Sequence, residues 1–158
     1  KLFNQKILPS VQPTHATSDM YWLYDRIGKK RATYAYAYQE LLNRSQVIAF
    51  GTDFPVEDIN PIMTYYSAVA RKDKNGYPDN GFQMENSIGR ADALSAMTIF
   101  GAYVNFEEEE KGSIEVGKSA DFILLDNDII KSLESRIPLT SVVATFVNGE
   151  LVFNRRYN

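Results

Sequence analysis

The chain has 158 residues, of which 44% are hydrophobic and 23% are charged, a composition that excludes disordered and low-complexity architectures and suits one ordinary domain. Its formal charge of −3 argues against a broad nucleic-acid footprint, which needs clustered basic residues, so we expect no nucleic acid partner. No apolar run approaches the roughly 18 to 20 residues of a membrane span, so we expect no membrane partner either. With no cysteine and one histidine, His15, the chain cannot supply a thiolate or His-rich metal site.

The first half of the chain alternates apolar runs with helical patterns. The apolar residues 7–11 predict a short buried strand that Pro13 ends. A threonine or serine at 17–18 then predicts the cap of a helix that stops at Gly28. Apolar side chains at helical spacing predict a second helix over residues 31–44.

The pattern repeats once more further along the chain. Residues 47–50 form a continuous apolar stretch, which is typical of a parallel strand covered on both faces. Asn60 and Pro61 predict the cap and first turn of the helix that follows. Helical periodicity returns over residues 90–106, where we expect Gly101 to break the helix.

Beyond residue 106 the sequence predicts β structure. Residues 123–125 form the core of a strand, and Asn148-Gly149 is the preferred pair for a two-residue type I′ hairpin turn. We therefore divide the chain into a β/α part, residues 1–106, and a β part, residues 107–158. Two parallel strands cannot cover their own helices, so the sequence predicts a piece of a larger architecture.

Two polar residues follow the two predicted parallel strands. Asp53 comes after residues 47–50 and His15 comes after residues 7–11, at the ends where β/α folds gather ligands and catalysis. A carboxylate there can bind a metal or take a proton from water. Two structural alternatives remain open: Asp53 can cap a turn through its side chain, and a lone histidine can be a hydrogen-bonded structural residue.

A third motif matches a phosphate-binding loop. Residues 112–119 fit G-x-x-x-x-G-K-S, but such a loop needs a strand before it and a helix after it. Glutamates 107–110 precede it and a predicted strand follows it, so we expect turns at both glycines with a short strand, residues 113–116, between them. A nucleotide-binding domain that uses Lys118 stays open as an unfavoured alternative. A non-catalytic interaction module that pairs through a strand edge is another.

Several of these stretches together resemble the C-terminal part of a metal-dependent hydrolase of the amidohydrolase superfamily. The similarity is greatest to amidohydrolase family 3, which contains the N-substituted formamide deformylases. It rests on five stretches in order: residues 10–20 with Gln12-Pro13-Thr14-His15, 35–38, 51–56 with Gly51-Thr52-Asp53-Phe54-Pro55, 106–114, and 117–126 with Gly117-Lys118-Ser119-Ala120-Asp121.

The resemblance implies an α/β fold. It consists of the last two β/α units of a distorted (β/α)₈ TIM-like barrel and the C-terminal share of a small β-sandwich. The barrel is incomplete in this chain, since a whole barrel takes roughly 250 residues.

The resemblance also implies roles for individual residues. Asp53 matches the aspartate that contacts the catalytic metal, a divalent ion expected to be zinc, and acts as general base toward its water. We assign His15 to substrate contact, and expect Asp19 and Arg71 to face the same pocket. The implied substrate is a small amide-type molecule.

The sequence departs from the family pattern in its metal ligands. The superfamily's remaining histidine ligands cannot be present, because His15 is the only histidine. We therefore expect this chain alone to hold no metal tightly and to hydrolyse nothing, and we expect its partner to be the N-terminal part of the same protein. We also expect self-association or a homo-oligomer, and favour the cytoplasm as its compartment.

Overall fold

The computed structural model describes residues 7–156 and gives an α/β fold. Two strands, β1 (Ser10–Val11) and β2 (Ala49–Phe50), pair in parallel, with Ser10 opposite Ala49 and Val11 opposite Phe50. This confirms the parallel pairing predicted from the two apolar runs. Both strands are shorter than those runs, because this short ladder is the only pairing they make within residues 7–156.

The segment between β1 and β2 contains four helices where two were predicted. They are α1 (Pro13–Asp19), α2 (Leu23–Ile27), α3 (Lys29–Ala32) and α4 (Tyr38–Ser45).

The predicted start of the first helix is wrong. Helix α1 begins at Pro13, whose fixed φ suits the first helical position. Thr17 is no cap, because it lies inside α1 and its hydroxyl donates to the carbonyl of Thr14 at 3.0 Å. The predicted stop at Gly28 is confirmed: this residue has φ 75° and its N–H bonds the carbonyl of Tyr24.

The single helix predicted over residues 31–44 is also wrong. It is interrupted at Tyr36, whose φ of 55° lies in the left-handed region and cannot continue a right-handed helix. The chain resumes as α4 after the N–H of Tyr38 bonds the carbonyl of Tyr36 at 2.8 Å.

Helix α5 (Pro61–Ala70) follows β2 as predicted. The side chain of Asn60 accepts a hydrogen bond from the N–H of Ile62 at 3.0 Å, and Pro61 occupies the first turn. A short 3₁₀ helix (Met84–Asn86) then leads toward the last two helices.

The predicted helix over residues 90–106 divides in two at a different residue from the one expected. Helices α6 (Arg90–Met97) and α7 (Ile99–Val104) meet at Thr98, which has φ −127° and ψ −99°. Its hydroxyl donates to the carbonyl of Leu94 at 2.8 Å, so this carbonyl in the last turn of α6 has a hydrogen-bond donor. Gly101 lies inside α7.

Three antiparallel strands form a second sheet in the order β3 (Phe122–Leu125), β4 (Val142–Val147), β5 (Glu150–Asn154). The hairpin is confirmed, since Asn148 (φ 51°) and Gly149 (φ 79°) both adopt the positive φ of a type I′ turn.

Residues 113–116 are not a strand, contrary to expectation. They bend between Gly112 and Gly117, both at positive φ, and make no ladder with the sheet. An unpredicted 3₁₀ helix (Glu134–Leu139) precedes β4.

The two predicted parts of the chain share one buried cluster. Ile129 and Ile137 from the β part pack with Ile48 and Tyr65 from the β/α part. The guanidinium Nη1 of Arg90 adds three hydrogen bonds across the junction, to the carbonyls of Ile129, Ile130 and Ser132. The boundary at residue 106 stays a prediction, but the two sides are packed together.

Among residues 7–156, no helix combines the length and apolar character needed to cross a membrane.

Large apolar side chains are exposed on several elements. Phe106 is 91% exposed and Ile114 is 88% exposed. Strands β3 and β5 expose four more on the small sheet: Ile123, Leu124, Leu151 and Val152. Exposed apolar area of this kind favours association.

We therefore expect the isolated chain to self-associate in solution. The edges of β1 and β2 that pair with no other strand among residues 7–156, and the exposed apolar side chains, would be partly covered in a dimer or larger assembly. Static light scattering over a concentration series should show the mass rising above that of one chain. A constant monomer mass at high concentration would contradict this expectation.

Candidate active site

His15 and Asp53 lie side by side at the ends of the parallel strands. His15 is in the first turn of α1, directly after β1, and Asp53 is in the loop that leaves β2. The Nε2 atom of His15 lies 3.2 Å from Oδ2 of Asp53. The structure therefore brings together the two residues that the sequence placed at equivalent strand ends.

The carboxylate of Asp53 is directed at His15 and does not close a turn. The turn is closed by the backbone carbonyl of Asp53, which accepts from the N–H groups of Val56 at 2.8 Å and Glu57 at 3.3 Å. Asp53 has φ 60°, a left-handed conformation that costs a non-glycine residue about 1 kcal/mol or more. Its side chain is 43% exposed, so it is accessible to a ligand.

Two further residues, Ser18 and Glu57, lie beside His15, and neither was predicted as a site residue from the sequence. Oε1 of Glu57 lies 3.9 Å from Nε2 of His15 and accepts a hydrogen bond from the hydroxyl of Ser18 at 2.5 Å. Nε2 itself is closed to solvent, and its contact with Asp53 is not aligned as a hydrogen bond. Glu57 lies in the same loop as Asp53, but no local pattern shows that this loop returns to α1.

Asp19, predicted to bind substrate, is bound to a tyrosine. Its Oδ2 accepts a hydrogen bond from the hydroxyl of Tyr36. Burial, together with this hydrogen bond, raises the pKa of Tyr36 well above its usual value. The tyrosine is thus a permanent hydrogen-bond donor to Asp19 at neutral pH, and it holds the end of α1 against the turn at residue 36.

Tyr38 binds the backbone between β1 and α1, next to the residues just described. Its hydroxyl donates to the carbonyl of Gln12, the residue that follows β1, at 3.0 Å. Burial raises the pKa of this phenol well above its usual value, and the nearby charge of Arg71 opposes that rise.

Arg71, also predicted to bind substrate, is fully buried at the C-terminal end of α5. Its Nε donates to the carbonyl of Phe82 at 2.9 Å and its Nη1 to the carbonyl of Tyr36 at 3.3 Å. The guanidinium lies over the rings of Tyr38 and Phe82, at 5.4 and 5.7 Å from their centroids. Burial lowers its pKa to about 10.

The buried Nη2 of Arg71, which carries two N–H groups, has no hydrogen-bond partner among residues 7–156. The structure thus places Arg71 beneath the tyrosines rather than at the surface beside Asp53. Its contact with substrate stays a prediction, as do the binding roles of His15 and Asp19.

The segment that matches a phosphate-binding loop folds as an ordinary turn. The ammonium of Lys118 donates to the hydroxyl of Ser113 at 2.7 Å and pairs with Glu115 at 3.4 Å. The chain then enters β3 rather than a helix, so backbone N–H groups do not converge on a helix N-terminus as a phosphate needs.

A metal ion could use Asp53 as one of its ligands. The carboxylate is accessible, is a hard oxygen donor, and lies at the carboxyl end of a parallel strand. Within residues 7–156, however, no three His, Asp or Glu side chains are arranged to hold a metal. The described residues could therefore supply one ligand to a metal ion, which by itself does not make a metal site.

The sequence profile of the amidohydrolase family matches residues 1–153. The chain is 34% identical over 148 residues to Protein LONG AFTER FAR-RED 3 of Arabidopsis thaliana, a match covering 93% of this chain and 25% of that protein. It is 27% identical over 117 residues to an N-substituted formamide deformylase of Arthrobacter pascens, covering 74% of this chain and 21% of the deformylase.

A solved structure shows the same backbone arrangement. An uncharacterized metal-dependent hydrolase from Pyrococcus horikoshii superposes with a TM-score of 0.71 at 30% identity, over 84% of this chain and 27% of the hydrolase. The chain belongs to the amidohydrolase family. It spans about a quarter of the length of the relatives it matches.

The buried tyrosines predict how stability depends on pH. Because the pKa of Tyr38 is raised in the folded state, the unfolded chain releases the phenolic proton first, above about pH 10. The contribution of Tyr38 to the free energy of unfolding should be constant below this pH and fall above it. In Tyr38→Phe the decline should be shallower by up to about 1.4 kcal/mol per pH unit, as measured by urea unfolding between pH 8 and 11.

The exposed Tyr34 provides the matched control, and Tyr34→Phe should leave the slope unchanged. An identical decline in Tyr38→Phe and the parent chain would show that Tyr38 is not buried as the structure has it.

Proposed function

We propose that this chain is the C-terminal part of a metal-dependent hydrolase that cleaves a C–N bond of the amide or formamide type. The observation that carries the proposal is the 3.2 Å approach of Asp53 and His15 at the ends of two parallel strands. Membership of the amidohydrolase family and the similarity to a formamide deformylase support the reaction class. The small-molecule substrate would bind over this edge of the sheet.

Asp53 would act as the general base in this reaction. Its accessible carboxylate takes a proton as a water oxygen forms a bond to the carbonyl carbon. The C–N bond then breaks, and the same proton passes to the leaving nitrogen, which departs as an amine. A divalent metal, expected to be zinc, lowers the pKa of a water molecule toward neutrality when bound.

The neighbouring side chains would orient the substrate. His15 is partly exposed beside Asp53, so it can contact the reacting amide. Asp19 keeps its second carboxylate oxygen for a substrate, since only Oδ2 accepts from Tyr36. Arg71 could reach a substrate only through its unused Nη2, and we propose that its main effect is to hold the Tyr36 turn.

The remaining features of the site would come from the rest of the protein. We propose that residues 1–106 supply the last two β/α units of a (β/α)₈ barrel, and that residues 107–158 supply strands of a composite β-sandwich. The other metal ligands would then lie on barrel strands contributed by the N-terminal part of the same protein. This chain alone would be inactive.

The isolated chain should therefore not retain zinc. One carboxylate cannot hold the ion against water, because structural and catalytic zinc sites use three or four protein ligands. After incubation with zinc and gel filtration, elemental analysis should find far less than one zinc per chain. A stoichiometric, tightly held zinc would contradict the proposed division of ligands.

Activity should appear when the N-terminal part of the same protein is added. We expect the mixture to release formate from an N-substituted formamide in the presence of zinc, while either part alone does not. In the mixture Asp53→Asn should lower the rate by about 10² to 10⁴, the usual contribution of a general base.

The exposed loop residue Asp79 provides the matched control, and Asp79→Asn should leave the rate unchanged. Binding of the two parts without any turnover of amide or formamide substrates would favour a non-catalytic interaction module instead.

A further inference from the structure

The side chain of Glu57 forms a hydrogen bond between the loop after β2 and helix α1. The backbone N–H of Glu57 bonds the carbonyl of Asp53 at 3.3 Å, which fixes Glu57 relative to the Asp53 turn. Its carboxylate lies next to α1 and accepts a hydrogen bond from the hydroxyl of Ser18 at 2.5 Å. Glu57 is therefore bonded both to the turn that carries Asp53 and to the helix that carries His15.

The same carboxylate also limits where the imidazole can lie. Oε1 of Glu57 is 3.9 Å from Nε2 of His15, and Oδ2 of Asp53 is 3.2 Å from the same nitrogen. Nε2 is closed to solvent, although the His15 side chain as a whole is 27% exposed. The edge that carries Nε2 is thus covered, and about a quarter of the side-chain surface is left accessible to solvent.

The hydrogen bond from Ser18 holds the Glu57 carboxylate close to His15. The side chain of Glu57 is only 15% exposed, so it is confined between the loop and α1 rather than free in water. A charge-assisted O–H···O bond of 2.5 Å is at the short, strong end of the range for such pairs. The same oxygen that accepts this hydrogen bond lies 3.9 Å from Nε2 of His15.

We propose that Glu57 is a positioning residue that acts through His15, with Ser18 holding Glu57 in place. The Ser18–Glu57 pair keeps the imidazole beside Asp53, so that its exposed surface faces the space where a substrate would lie. The role in placing His15 for a substrate rests on the proposed function. The contacts of Glu57 with Ser18 and His15 are all within this chain. Neither Ser18 nor Glu57 was among the site residues predicted from the sequence.

The single histidine makes a direct test possible. Histidine labelled with ¹³C gives one set of imidazole signals in this chain, and ¹³C relaxation of its ring carbons reports the order of His15. In the parent chain we expect an order parameter near that of rigid backbone, about 0.85. In Glu57→Ala and in Ser18→Ala it should fall below about 0.6, the range of flexible groups.

Two further variants separate positioning from a general loss of structure. Glu57→Gln keeps an oxygen that can accept the Ser18 hydroxyl, so ring order should recover. Glu150→Ala, the same kind of change at an exposed position of β5, should leave the ring unchanged. Thermal unfolding midpoints measured on the same samples identify any variant that fails to fold.

The experiment measures the order of the His15 ring and not hydrolysis, so its result does not depend on whether the proposed function is correct. A flexible His15 ring in the parent chain would overturn the inference, whatever the variants do. Unchanged ring order in folded Glu57→Ala would overturn it as well. Loss of ring order in Glu57→Ala with recovery in Glu57→Gln would support it, even if formate release is never observed.

Discussion

The parallel pairing of β1 with β2 is the constraint on which the candidate site depends. Ser10 lies opposite Ala49 and Val11 opposite Phe50, so both strands end at the same edge of the sheet. Two chain segments that are distant in sequence therefore begin their loops side by side. An antiparallel pair would have placed His15 and Asp53 at opposite edges, because its strands run in opposite directions.

Beneath this edge, a buried network holds the loops in place. Arg71 reaches the carbonyls of Tyr36 and Phe82 from the end of α5, and its guanidinium lies against the ring of Tyr38. Keeping a charge in this setting is costly, which is why burial lowers its pKa to about 10. Its hydrogen bond to Tyr36 offsets part of that cost and fixes the turn from which Tyr36 bonds Asp19.

Features set by local chemistry could be predicted from the sequence. The Asn60 cap and the Asn148-Gly149 turn depend on neighbouring residues alone, and both are confirmed. The break in the helix over residues 90–106 was predicted, but at Gly101 and not at Thr98. The break at Tyr36 was missed, since Tyr36 adopts its left-handed φ in a turn that distant Arg71 supports. Glu57 could not be found for the same reason: its partner Ser18 lies on a helix that precedes it by an entire β/α unit. The positions of Asp53 and His15 after the two apolar runs, together with the family resemblance, identified both residues, but the distance between them required the fold.

The most direct test of this account is the proximity of His15 and Asp53 in solution. A nuclear Overhauser measurement on the ¹³C-labelled chain should connect the ring protons of His15 to the β protons of Asp53 and the γ protons of Glu57. We expect these signals together with those that show β1 paired in parallel with β2. A folded chain that gives the strand signals but none between the imidazole and either acidic side chain would contradict it.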